Sequence, residues 1–159
     1  VFLDPYGMQV EWSLIEEIAR TRAIDLWVLF PLGVAVNRLL TSDKPPPDEW
    51  AQALDRIFGS TEWTERFYPS EIRDGLFGRE ETREKHADFK CIADFFVQRL
   101  ERVFSGVARN PLALVNSRSV PIYLLCFAVG NQRGVKAALR IAEHILRQNG
   151  GRTSRRKAR

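Results

Sequence analysis

The sequence predicts an α/β fold: the C-terminal part of a doubly wound sheet that ends in an antiparallel hairpin and carries a helical insert. Three observations predict it. Residues 1–3 are apolar and stop at Asp4-Pro5-Tyr6-Gly7, the sign of a short buried strand ending at an acid, a proline and an aromatic. An amphipathic segment then leads to Asp25-Leu26-Trp27-Val28-Leu29-Phe30, nearly continuous in apolar character as in a parallel strand covered on both faces, and halted by Pro31. Near the other end, two strand patterns at about 106–115 and 120–129 flank the polar link Asn116-Ser117-Arg118-Ser119, which predicts a hairpin.

In an open α/β sheet, ligands bind just beyond the carboxyl ends of the strands. Residues 4–6 fall at such an end, at the very start of the chain, and Val1 is not an initiator methionine. The expectation is therefore a C-terminal fragment of a larger enzyme-like domain.

The first helix is predicted from Ser13, whose spacing to Glu16 fits a capping box, with Leu14, Ile15, Ile18 and Ala19 on its apolar face. Strand, helix and strand joined by short links make a βαβ unit. Residues 33–40 predict a short helix bearing Val34, Val36, Leu39 and Leu40, and the proline-rich stretch 41–47 reads as an exposed linker. Asp48 is placed to cap a helix with Trp50, Leu54, Ile57 and Phe58 on one side and Gly59 as its stop. Thr61 opens a shorter helix with Trp63 and Phe67, and residues 69–87, charged and punctuated by glycine, predict a mobile excursion. Together residues 41–87 form the helical insert. Phe89, Ile92, Phe96, Leu100 and Val103 keep the 3.6-residue period over about 87–103. Val135, Ala138, Leu139, Ala142, Ile145 and Leu146 keep it over 131–148, with Asn149-Gly150 as the stop.

A length of 159 residues suffices for one domain with a sizeable core, so residues 1–150 are assigned to a partial α/β domain. No apolar run approaches the roughly 18 residues a membrane helix needs. Cys91 and Cys126 lie far apart with no CxxC or Cys/His spacing, and His86 and His144 are isolated from each other. That pattern predicts two free buried thiols in a reducing cytoplasm and no metal site. The net charge is +4, while the last eight residues alone carry Arg152, Arg155, Arg156, Lys157 and Arg159, so the rest of the chain is slightly acidic. Residues 151–159 are expected to be a disordered basic tail, either solubilising or in nonspecific contact with nucleic acid.

The element order, a parallel βαβ unit followed by an antiparallel hairpin, is that of the end of a Rossmann-like, class I methyltransferase-type sheet. No Gly-x-Gly loop follows a strand in the first part of the sequence. Several stretches resemble the three-Cys-motif partner family. They are Phe2-Leu3-Asp4-Pro5-Tyr6-Gly7, Trp12-Ser13, residues 25–31, Asn37-Arg38-Leu39-Leu40, Leu54-Asp55-Arg56-Ile57-Phe58-Gly59, Trp63, residues 121–128 and Gly130-Asn131. The resemblance covers most of residues 1–148. It implies a Rossmann-type methyltransferase relative, using S-adenosylmethionine and working beside a protein with a three-cysteine, radical-SAM-like motif. By the same resemblance, Asp4-Pro5-Tyr6 stands where amino-methyltransferases carry Asp/Asn-Pro-Pro-Tyr, with one proline in place of two. Asp4 then accepts a hydrogen bond from the target amine, Tyr6 stacks on the acceptor and Pro5 lies against the cofactor. Phe30 and Arg38 are the expected substrate contacts, Arg38 through its forked guanidinium. The bland alternatives are a turn cap for Asp4, a sheet-edge aromatic for Tyr6, strand termination for Phe30 and a surface ion pair for Arg38. A reading of another class is a non-catalytic interaction protein on the same fold, using the insert and its tryptophans as its surface. A third is a nucleic-acid module that uses the arginine-rich tail.

Overall fold

A computed structural model describes residues 1–4, 10–75 and 78–155. The βαβ unit is present: β1 (Phe2–Leu3), α1 (Trp12–Arg20) and β2 (Leu26–Phe30), with β1 and β2 parallel and Phe2 beside Trp27, Leu3 beside Val28. The expected capping box does not form. Glu11 is the residue preceding α1, so Ser13 already lies inside the helix, and Glu16 instead accepts the indole N–H of Trp12 at 2.9 Å. Burial of the Trp12 ring sets the helix start and takes the carboxylate the cap would have used.

Beyond Pro31 the predicted helix is a π-helical turn, Leu32–Val36, running into the three-residue α2 (Asn37–Leu39). The wide turn carries Leu32 and Val36 into the core, with the Val36 N–H donating to Pro31 O at 3.0 Å. Gly33 is required here, because a Cβ would stand 2.0 Å from the carbonyl oxygen of Pro121.

In the insert, α3 (Asp48–Phe58) follows Pro47, and Gly59 ends it in the left-handed conformation (φ 61°). A Cβ on Gly59 would also meet the Trp12 ring at 1.9 Å. The helix α4 (Glu62–Phe67) comes next. The segment expected to be a mobile excursion contains an antiparallel pair, β3 (Glu71–Gly75) and β4 (Gly78–Thr82). Its main-chain register sets Glu71 beside Thr82 and Gly75 beside Gly78. The long helix α5 (Phe89–Val103) begins at Asp88, whose carboxylate accepts the Cys91 N–H at 2.7 Å.

The strand expected over 106–115 is two pieces, β5 (Gly106–Val107) and β6 (Leu112–Val115), both antiparallel to β7 (Pro121–Val129). The break lies where Pro111 has no N–H to give. Just before it, Glu143 draws the chain aside, accepting the Arg109 N–H at 3.3 Å and, through its main-chain carbonyl, the Asn110 side chain at 3.1 Å. The β6–β7 hairpin closes on Asn116, whose side chain accepts the N–H groups of Arg118 and Val120. The last helix, α6 (Val135–Arg155), runs through the expected stop at Asn149-Gly150 and through the first residues assigned to the disordered tail.

The main sheet therefore has the order β1-β2-β7, with β5 and β6 in succession along the far side of β7; only the β1–β2 pair is parallel. Helices cover both faces. On one side α1, α3, α4 and α5 pack on Leu26, Val28, Phe30, Leu124, Cys126 and Ala128. On the other, α6 packs through Ala142 and Leu146 on Phe127 and Val129.

Candidate functional site

Because β1 and β2 are parallel, their carboxyl ends share one edge of the sheet. Asp4 follows β1 there and is exposed, as a ligand-facing acid or a turn residue would be. Pro5 and Tyr6, the expected cofactor and acceptor contacts, lie outside the described residues. Phe30 ends β2 at this edge, but the structure places it in the core and not on an open pocket. It is 1 % exposed and stacked on Phe96 at 4.0 Å, because the alternation along β2 turns residues 26, 28 and 30 toward α5.

Arg38 is exposed on α2, just past the π-helical turn. Among the described residues it makes no ion pair, the alternative to its expected role as a substrate contact. Its neighbour Asn37 accepts a hydrogen bond from the Lys85 ammonium at 2.7 Å, and Leu40 O lies 3.5 Å from the same nitrogen. Burial holds the Lys85 ammonium below the usual lysine range. Lys85 was not foreseen. It lies in the charged stretch after β4, and only the folding of that stretch back against α2 distinguishes it from its neighbours. Tyr68 fixes the same region, its buried hydroxyl donating to Thr41 O at 2.7 Å.

Asp4 after β1, Arg38 on α2 and Lys85 against α2 thus supply an exposed carboxylate, a guanidinium with no ion pair among the described residues, and a half-buried lysine. The chemistry available is hydrogen bonding to an amine and binding of an anion. Among the described residues, no three His, Cys, Asp or Glu side chains converge as a metal site. The described residues make no cradle for S-adenosylmethionine either: Asp4 is exposed, Phe30 is turned into the core, and no Gly-x-Gly loop follows β1 or β2 in the sequence.

The tryptophans divide. Trp12 and Trp63 are buried, the second donating its indole N–H to Asp55 at 2.7 Å, while Trp50 is 41 % exposed on the insert. The guanidinium of Arg99 lies 5.0 Å from the Trp12 ring centroid and donates to the carbonyls of Phe58 and Gly59, which pins the end of α3. Cys91 and Cys126 are both free thiols, half-buried and buried respectively. No helix among the described residues is long and apolar enough to cross a membrane. No family model, no curated protein and no solved structure matches the chain.

Proposed function

We propose that the chain belongs to an S-adenosylmethionine-dependent methyltransferase-like subunit acting with a three-Cys-motif, radical-SAM-like partner, and that it contributes the acceptor side of the site. The observation that carries this reading is the strand order. A parallel pair joined by a helix lies next to an antiparallel strand, β7, which enters the sheet between β2 and β6. That order supports reading the sheet as the closing end of a Rossmann-like, class I methyltransferase sheet, in which Asp4 would follow the strand whose carboxyl end faces the acceptor. Asp4 would orient the nucleophile by accepting its hydrogen bond, and Arg38 would hold an anionic group of the substrate. Bound S-adenosylmethionine would supply the methyl group, although the described residues make no cradle for it.

The test uses the product of the complete reading frame. S-adenosylmethionine is titrated calorimetrically into the wild type and into Asp4→Ala, and transfer of labelled methyl is followed in the presence of the three-Cys protein. Equal cofactor affinity with transfer lost in Asp4→Ala is the expected result; unchanged transfer removes Asp4 from the site. A product that takes up no cofactor yet co-elutes with the three-Cys protein would turn the assignment to a non-catalytic interaction subunit. That second reading is favoured by one observation in particular. Phe30 packs in the core, while Trp50 and Phe2 present 41 % and 58 % of their surface to solvent.

A further inference from the structure

The charge of the chain is strongly polarised. Nine of the 24 Lys and Arg but only one of the 20 Asp and Glu lie in residues 131–159, which leaves residues 1–130 net acidic. The structure concentrates part of this charge on one surface. Arg109, from the break between β5 and β6, and Lys136, Arg140 and Arg147, from α6, line a groove of about 490 Å³ with Leu139 and Glu143. The spacing 136, 140, 147 keeps the three α6 cations on one side of the helix, over about 17 Å of its length at 1.5 Å per residue.

Some cations elsewhere on the surface are neutralised, Arg20 by Glu16 and Glu17, Arg83 by Glu65 and Arg102 by Glu62, while Arg38 stands alone on α2 with no ion pair among the described residues. In the groove, none of the four cations makes an ion pair among the described residues. The one carboxylate there, Glu143, accepts the main-chain N–H of Arg109 and so serves to hold the groove wall. Four unpaired cations on one surface repel one another, and an anionic partner relieves that repulsion.

We infer that this groove is a docking surface for the phosphate backbone of duplex nucleic acid, read by charge and not by base. The argument for this partner rests on three features. Three of the four cations are arginines, whose planar fork matches a phosphate better than a lysine does. Their span covers about five steps of one strand at about 3.4 Å per step. The groove contains no aromatic side chain, so it offers no stacking platform of the kind single strands use. The site is the folded surface of α6, and it stands independently of the methyltransferase reading.

The test is fluorescence anisotropy of a labelled 20-base-pair duplex with the full chain, titrated between about 50 and 200 mM salt, where phosphate contacts dominate. The double variant Arg140→Gln/Arg147→Gln alters two exposed positions, and its circular dichroism reports whether the helix is intact. Its binding should weaken, with the slope of log affinity against log salt falling by about two. Arg140→Lys/Arg147→Lys keeps the charge and should retain the slope. Three outcomes would overturn the proposal: a double glutamine variant that binds with unchanged slope, loss of binding on deletion of residues 156–159 alone, or a wild type that binds phosphatidylserine vesicles or polyglutamate but not the duplex.

Discussion

The Cys126 thiol lies on β7 with 1 % of its surface exposed, among the apolar residues that α5 covers. Burial disfavours the thiolate and pushes its pKa far above the usual thiol range. In the unfolded chain the same thiol ionises near 8.5. Above that pH the unfolded state sheds a proton that the folded state keeps, so stability falls as pH rises; below it the term is flat. Urea unfolding of the wild type and of Cys126→Val should therefore diverge with alkalinity. Between pH 7 and pH 9.5, one pH unit beyond the unfolded value, the wild type should lose on the order of 1 kcal/mol relative to the variant. A constant difference would mean that the thiol ionises in the fold. Cys91 supplies the internal contrast: half-buried, it should react with a thiol reagent in the native state while Cys126 waits for unfolding. The sequence alone presents both as isolated cysteines, and only the phase of each against its helix or strand separates them.

Among the elements, α6 departs furthest from its local signals. Gly150 and Gly151 lie within it, although glycine costs about 1 kcal/mol relative to alanine in a helix interior. A Cβ on Gly150 would approach only Leu112 Cδ1, at 3.6 Å, an ordinary contact. Gly150→Ala should therefore stabilise the protein by about 0.5–1 kcal/mol and deepen the helical signal at 222 nm. An unchanged or lower midpoint would indicate that the chain leaves the helix at this glycine, as its sequence suggests. The helices α1, α3, α5 and the body of α6 were legible because each carries a full apolar stripe. The pair β3–β4 was not, since Ile72 is its one large apolar residue outside the Leu76-Phe77 link, and 71 % of Ile72 is exposed. The main-chain pairing of the two strands is what defines that element, and no periodicity reveals it. The break between β5 and β6 was equally hidden, because Glu143, which draws the chain aside, is more than thirty residues distant. At the candidate site, the positions of Asp4 and Arg38 near strand ends were legible from the stops that follow each strand. The core position of Phe30 was not, because a continuous apolar strand does not announce which face its last residue takes.

The insert and the sheet share one core, although the sequence presents residues 41–87 as an addition to the α/β body. Phe30 of β2 stacks on Phe96 of α5 at 4.0 Å and lies 5.9 Å from Phe58 of α3. Phe58, fully buried, in turn meets Phe67 of α4 edge-on at 5.8 Å and Phe95 of α5 at 5.1 Å. This chain of rings couples the insert helices to the strands that carry the candidate site, with no apolar gap at which the two would part. Arg99 adds a polar tie, joining α5 to the carbonyls at the end of α3. Such a core should melt as a unit. Phe58→Ala opens a cavity at the meeting point of β2, α3, α4 and α5, and large-to-small changes at such sites cost about 3–5 kcal/mol. The expected result is a single transition, shifted to lower denaturant, in which near-ultraviolet dichroism from the aromatics and far-ultraviolet dichroism from the backbone still coincide. Two separate transitions, with the tryptophan signal of the insert lost before the backbone signal, would make the insert an independent unit. In that case the anchoring of α2 and Lys85 at the strand edge would no longer depend on the sheet beneath them.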